Sequence, residues 1–458
     1  MAATGDEKVP GGKSGGRGES REERGMHMEE SGFVVQEMGP GVTMYVWPTR
    51  QFKTVSTRVV LHHPLGEDAT ETALVPQVLL RGSARYPTTQ ALARRREELF
   101  GTELGADVSK LGRDHLVWVG VGGISPRFVG AGSRLLRDQL ELLAEVLFHP
   151  REVGSGRFDE EYTRQEKNVL RQKIERLINE KRRYGMFRLY QEMCQGDPFA
   201  IHRLGRLDRI ESITAEGLFQ HYREILAESP VSIFVVGPVD PQEVQTAIQN
   251  LFPWSKEGRQ SLFAAGPYTP KPNGKPRTVR EEQEVNQALL YLGYRTGITF
   301  ADERYPALSL YSGILGAFPH SKLFIQVREK ASLAYFAFSQ LEPTMGLMVT
   351  SCGIDPANYE RALDLMRAQV EAMARGEFSD EEMAAARASL RTGLRSIYDS
   401  PDALVDRTLL GVVNRRLRPP EEMIAALDRV TKDDIVEVAQ QVELDTIYFL
   451  TRREGGQA

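Results

Sequence analysis

The sequence predicts an α+β protein made of two copies of one structural unit. Three observations carry that prediction. At 458 residues the chain exceeds what one hydrophobic core supports, so two domains of about 200 residues each are the default. In both halves, short β-branched and aromatic runs bounded by turn residues alternate with longer stretches of helical apolar period. The two halves also end alike. Ile213-Thr214-Ala215-Glu216-Gly217-Leu218 precedes a helix and a strand at 231–236, and Val430-Thr431-Lys432-Asp433-Asp434-Ile435 precedes a helix and a strand at 447–450. Thr214 to Val231 is 17 residues and Thr431 to Ile447 is 16. A Thr followed by an acid two or three residues on is a common helix start. The same signal, helix length and following strand together indicate a duplicated unit.

The elements follow in order. Residues 1–30 are Gly-rich and charged, with GGKSGGRGESREERG at their centre, and are expected to form a disordered tail. The first domain is expected over 31–252. Strands at 33–37 and 43–47 flank Gly39-Pro40-Gly41, a hairpin signal. A third strand at 54–62 carries the β-branched Val55, Thr57, Val59 and Val60. Helices are expected at 68–80 and 88–100, the second with Thr88 as N-cap and Gly101 as stop. Residues 103–109 and 115–121 form another hairpin around Leu111-Gly112-Arg113-Asp114. Helices follow at 135–147, 158–183 and 183–194, and the dense charge of 158–183 reads as a solvated face with i,i+4 pairs. Strand 231–236 and helix 241–252 close the domain. Residues 253–275 are rich in Pro, Gly, Lys and Ser, carry no period and read as the linker. The second domain, 276–458, is expected to hold strands at 277–282, 287–294, 333–340, 346–353 and 446–451. Its helices are expected at 305–315, 321–328, 358–375, 379–397, 402–414 and 431–441.

Composition narrows the function. Hydrophobic residues make up 41% and charged residues 26%, ordinary for a globular protein. A net charge of −5 lacks the basic footprint of a nucleic-acid binder, so no nucleic-acid partner is expected. Cys194 and Cys352 lie too far apart in sequence for a zinc knuckle and fit a reducing compartment. No apolar run approaches the roughly 20 residues of a membrane span, and no secretory leader is visible. A cytoplasmic location and no membrane association are therefore expected.

Chemistry is sparse at first sight. There is no HxxEH, HxxxH or CxxC, and no GxxxxGK[ST]. His62 and His63 are neighbours on a strand and point to opposite faces, so they do not share a metal. His115, His149, His202, His221 and His320 are isolated in sequence and read as structural. Glu160, Glu161 and Glu166 sit in the first turns of a helix, where acids favour the dipole. The most distinctive stretch is 320–338, HSKLFIQVREKASLAYFAF. A helical apolar face (Leu323, Phe324, Val327) gives way at Lys330-Ala331-Ser332 to an aromatic strand. Arg328 closes the helix and Tyr335 opens the strand. These two can serve as a C-terminal dipole partner and a half-buried Tyr, or they can point together into a groove as hydrogen-bonding groups.

On these residues the chain resembles the insulinase/pitrilysin-type zinc metallopeptidases, the group that includes the processing peptidases and their inactive partners. The family pattern S-x-L-F-x-x-V-R-E-x-x-x-L-A-Y is met by Ser321, Leu323, Phe324, Val327, Arg328, Glu329, Leu333, Ala334 and Tyr335. Catalytic members also carry H-F-L-E-H-x-L-x-x-G-T/S. Here that stretch reads Ala73-Leu74-Val75-Pro76-Gln77-Val78-Leu79-Leu80-Arg81-Gly82-Ser83. Its tail matches, but Ala73 and Gln77 stand at the two His ligand positions and Pro76 at the general base. Ala offers no donor atom, Gln is a poor zinc ligand and Pro accepts no proton. The third ligand position falls near Gln172, between Arg171 and Lys173, with the carboxylate of Glu175 close by. The interval from Gln77 to Gln172 is 95 residues, longer than is usual for the family. Together with the stretch from Leu99-Phe100-Gly101 to His115, it is similar to the bacterial YmfF-like branch of inactive halves.

The resemblance implies two homologous domains of the processing-peptidase type, with antiparallel sheets and helices packed on them. It implies a non-catalytic subunit of a heterodimeric zinc metallopeptidase, with no cofactor in this chain and zinc on an HxxEH-bearing partner. Arg328 and Tyr335 would bind the peptide substrate. The alternatives are a structural scaffold and a peptide-binding homodimer without a part in proteolysis.

Overall fold

The computed structural model describes residues 27–28, 32–130, 132–154, 156–254, 259, 266 and 275–452. The first half holds strands β1 (His27–Met28), β2 (Val34–Gly39), β3 (Val42–Pro48), β4 (Thr54–Pro64), β5 (Glu103–Leu111), β6 (Asp114–Ile124) and β7 (Val231–Gly237) in one sheet, ordered β1-β2-β3-β7-β4-β6-β5. The second holds β8 (Arg277–Glu282), β9 (Ala288–Arg295), β10 (Ala334–Glu342), β11 (Leu347–Ile354) and β12 (Glu443–Thr451), ordered β10-β11-β9-β12-β8. Neighbours are antiparallel except β3–β7 and β8–β12, which are parallel. The protein is therefore α+β, with two sheets rich in antiparallel pairing.

The duplication inferred from the ends of the halves extends through both sheets. Strand order β3-β7-β4-β6-β5 matches β8-β12-β9-β11-β10 position for position, with the single parallel pair in the same place. The paired start signals work as caps. Thr214 accepts from the Gly217 N–H at the start of α6 (Ala215–Glu228), and Thr431 forms a capping box with Asp434 at the start of α13 (Lys432–Gln440). Strands β7 and β12, which follow these helices, occupy equivalent central positions.

The remaining helices are α1 (Ala69–Leu79), α2 (Thr89–Glu98), α3 (Leu135–Phe148), α4 (Glu160–Asn179), α5 (Lys181–Met193) and α7 (Pro241–Leu251) in the first half. The second half has α8 (Tyr305–Ser312), α9 (Tyr359–Ala374), α10 (Asp380–Ser396), α11 (Pro401–Val413) and α12 (Pro420–Arg429). Thr88 caps α2 as expected. Four features depart from expectation. The helical run expected over 158–183 breaks at Glu180, and α5 starts there. Helix α12 was not expected, although Pro420 opens it with Glu421 and Glu422 behind it. The expected helices at 305–315 and 321–328 contain π-helical segments, Gly313–Ala317 and Phe324–Lys330. The expected disordered tail lies outside the described residues except for His27–Met28, whose backbone pairs with β2 ahead of the expected start of order. Most of the expected linker lies outside them as well.

Each half buries one face of its sheet under its own helices. The other faces are covered reciprocally. Leu189, Tyr190 and Met193 of α5 pack on Leu289, Tyr291, Tyr448 and Leu450 of the second sheet. Leu404, Val405, Leu409 and Val412 of α11 pack on Tyr45, Val60, Phe234 and Val236 of the first. Fully burying an aliphatic or aromatic side chain contributes roughly 1.5–3 kcal/mol, so the exchange couples the halves strongly. Gly185 permits the close approach of α5, since a Cβ there would meet the Tyr291 ring at 2.5 Å, and the Tyr291 hydroxyl donates to the Arg182 carbonyl at 2.8 Å. Polar contacts close the seams. Glu281 accepts from Tyr184, Arg188 and Tyr448, and Arg58 reaches Asp402 and Asp406 on α11.

Candidate functional site

Helix α1 carries the positions where a metallopeptidase of this pattern holds its metal. Ala73 is 2% exposed and lies in the core. Pro76 sits inside the helix, which continues past it to Leu79. With no N–H, Pro76 leaves the Thr72 carbonyl without its i+4 donor. The Gln77 side-chain amide donates to the Ala106 carbonyl and to Asp107 on β5, each at 3.4 Å. Its NH2 group is thereby tied to the edge strand, and a neutral amide oxygen is a poor zinc ligand. Gln172 is exposed on α4 and lies outside the groove beside β5, which Lys173, the next residue, does line. On α4 the buried acid is Glu166, paired with Arg81. The residues present do not fit zinc: one face offers Ala73, Gln77 and the lone carboxylate of Asp107.

The edge strands β5 and β10 border a common groove of about 770 Å³, floored by the end of α4 and by α5. Its cations are Lys110, Lys173, Arg176, Arg182, Arg183 and Arg203, against the acids Asp107 and Glu180. Burial pushes the Lys110 ammonium down to about 8, opposed by Glu342, whose own carboxyl burial pushes up. Lys110 donates to the Phe199 and Ile201 carbonyls at 2.8 and 3.2 Å and lies over the Phe199 ring. His202 lines the same groove. Burial, then the charges of Lys110 and Arg203, push it down to about 3, and its Nδ1 accepts from the Leu204 N–H at 3.1 Å. It is a neutral acceptor at physiological pH.

In the second half the π-helical segment Phe324–Lys330 ends at Ser332, whose φ of +53° is the left-handed conformation that a non-Gly residue adopts only under tertiary constraint. Strand β10 then starts with a bulge. Ala334 pairs with Ile354 and Ala337 with Cys352, so Tyr335 and Phe336 together face Gly353. A Cβ on Gly353 would meet the Phe336 ring at 2.6 Å, so glycine is what admits that ring. Phe336 stacks on Phe338 and under the Arg182 guanidinium, 3.9 Å from the ring centre, and Tyr335 is turned out to solvent at 78% exposure. Arg328 is also exposed, with its guanidinium 4.5 Å from the Phe324 ring centre. Among the described residues neither Arg328 nor Tyr335 has a hydrogen-bond or ion-pair partner. The half-buried reading of Tyr335 is thereby corrected: the bulge exposes it.

Two histidine arrangements escaped the sequence. His62 bonds Ser232 at 3.0 Å and Asp114 at 3.3 Å, a Ser–His–Asp chain, but all three are buried between β4, β6 and β7 and no substrate reaches the hydroxyl. It is a satisfied buried network. His221, isolated in sequence, stands beside His63 and Asp68. Among the described residues no helix is long and apolar enough to cross a membrane.

Residues 212–390 match the family model described as "Peptidase M16 inactive domain". The chain is 37% identical over 416 residues, 91% of its length and 97% of the relative's, to a protein of Bacillus subtilis (strain 168) named "Probable inactive metalloprotease YmfF". It is 28% identical over 251 residues, 52% of its length and 53% of the relative's, to an uncharacterized zinc protease of Streptomyces coelicolor. Among solved structures, a conserved protein from Enterococcus faecalis V583 superimposes with a TM-score of 0.84 at 30% identity, over 93% of this chain and all of that one. The substituted ligand positions on α1, the duplicated sheets and these likenesses agree, and the chain belongs to the M16 (insulinase/pitrilysin-type) metallopeptidase family, in its inactive, YmfF-like branch.

Proposed function

We propose that this chain is the non-catalytic subunit of a two-chain zinc metallopeptidase, in which it binds and positions the peptide for a partner that carries HxxEH. The observation that carries the reading is the contrast between its two motif sites. The α1 positions cannot hold metal or activate water, whereas Arg328 and Tyr335 are complete, exposed and, among the described residues, without a hydrogen-bond or ion-pair partner, and the Gly353-dependent bulge turns Tyr335 outward. A guanidinium resting on the Phe324 ring with its donors free for hydrogen bonding, and a phenol turned to solvent, are suited to a substrate or a partner's site. There they would supply preorganised donors where charge develops on the scissile carbonyl. The edge strands β5 and β10 offer unpaired backbone groups for an extended peptide, and the cations between them favour an acidic one.

The test is reconstitution. The purified chain alone is expected to show no peptidase activity, and mixing with an HxxEH-bearing homologue from the same cell is expected to give activity that tracks the complex. Proteolysis by the isolated chain would overturn the reading. A complex whose activity equals that of the HxxEH chain alone would favour the scaffold alternative.

A further inference from the structure

We propose that His63, Asp68 and His221 form a binding site for a divalent transition metal of the zinc class, on a face of α1 that the family's metal does not use. The three come from separate elements: His63 from the end of β4, Asp68 from the N-cap position of α1, and His221 from α6. One ligand atom from each lies within 4.8 Å of the other two. His63 Nε2 is 2.8 Å and His221 Nε2 4.0 Å from the same Asp68 oxygen, Oδ2. The rings stand edge to face, with centroids 5.4 Å apart. Ligand atoms around tetrahedral zinc stand about 3.3 Å apart, so rotation of the side chains alone brings this set to bonding distance. Two imidazoles and one carboxylate are a donor set that zinc and its neighbours accept, with a position left open. Thr72 Oγ1, 2.8 Å from His221 Nε2, borders that position.

The surroundings favour a cation. The Asp68 carboxylate lies between the two rings and supplies the one formal negative charge of the set. One turn along α1, Glu71 accepts from Arg209 with one oxygen, while its other oxygen is buried with no partner. That carboxylate also acts on His221 electrostatically and adds negative charge beside the site. Asp68 and Thr72 lie four residues apart on one face of α1, and Ala73 and Gln77 lie about 140° around it. A metal here would tie the end of β4 and the start of α1 to α6, the helix repeated as α13 in the second half. Its role is that of a clamp on the first half.

The experiment is a titration of the full chain with zinc chloride by calorimetry and with cobalt(II) by visible absorption, in a non-chelating buffer near pH 7.5. One equivalent is expected to bind with a dissociation constant of about 10 μM or tighter. Saturating zinc is expected to raise Tm by about 3–5 °C, reversed by EDTA. His63→Gln and His221→Gln are each expected to weaken binding at least about tenfold. Wild-type cobalt spectra decide the matter even if a variant fails to fold. Saturable visible bands without a thiolate charge-transfer band are expected, because Cys194 and Cys352 are buried. No saturable binding up to about 0.1 mM metal, a thiolate band, or one-to-one binding unchanged in the two His variants would overturn the proposal.

Discussion

In both halves a helical segment ends in a non-glycine residue with left-handed backbone, and the chain then enters an edge strand. Phe100, with φ +58°, precedes β5, and Ser332, with φ +53°, precedes β10. The two strands hold the same place in the duplicated sheets and face one groove. They differ in what they present. Strand β5 pairs with β6 in unbroken register and shares Gln77 through Ala106 and Asp107, so the site beside it is closed by hydrogen bonds. Strand β10 bulges and turns an unpartnered Tyr335 out. The α1 side is tied to its edge strand by hydrogen bonds, whereas the β10 side presents to solvent a Tyr335 that has no hydrogen-bond partner among the described residues.

The reciprocal helices are the place to break the comparison hardest. Leu189→Ala on α5 and Leu409→Ala on α11 should each cost about 2–5 kcal/mol, because both side chains are buried in clusters that cross the halves. Denaturant unfolding should remain one transition if the halves are coupled. Two separate transitions in the wild type would show instead that each half folds alone. A smaller effect is expected at the bulge. Gly353→Ala places a methyl where the Phe336 ring sits and should cost about 1–3 kcal/mol. It should also lower the activity of the reconstituted peptidase, whereas Gly122→Ala, on β6 where a Cβ meets nothing, should leave that activity unchanged.

The smallest expected effect at neutral pH is in the groove and depends on pH. The folded-state pKa of His202 lies near 3, below the ordinary histidine value, so below pH about 6.5 the unfolded chain binds a proton that the folded chain does not. The stability contribution of neutral His202 is therefore complete above about pH 6.5 and is lost as pH falls from there toward 3. By pH 5 that loss should approach about 2 kcal/mol. His202→Gln should flatten that part of the stability profile. An unchanged slope between pH 7 and 5 would show that His202 is protonated in the folded protein.

Much of this architecture could be read from local signals. Strand alternation and the caps at Thr88, Thr214 and Thr431 place most elements correctly, because each is decided by residues within a few positions. The failures are those that tertiary structure decides. Nothing between Leu170 and Lys181 marks a break at Glu180, which arises because α5 leaves its own half to cover the other sheet. An apolar stripe shows that α5 is buried but not against which sheet. Helix α12 is the exception, missed although Pro420 in its first turn and the acids behind it are local helix-start signals. At the site, Arg328, Tyr335 and the altered α1 positions were legible only through the resemblance to the family's motifs, since spacing alone leaves both readings of the pair open. The face of α4 was not: one residue of phase separates exposed Gln172 from groove-lining Lys173. The meeting of His63 with His221 is invisible in sequence because β4 and α6 are far apart along the chain.

The central claim is that the second half, and not the first, retains a working part of the family's active centre. It is tested most directly by kcat/KM of the peptidase reconstituted with an HxxEH partner, comparing Arg328→Ala and Tyr335→Phe with Gln77→Ala. The account predicts a loss of about 10²–10³-fold for Arg328→Ala, a smaller loss for Tyr335→Phe, and no change for Gln77→Ala, all at unchanged Tm and complex stoichiometry. Full activity with both second-half residues replaced would contradict it.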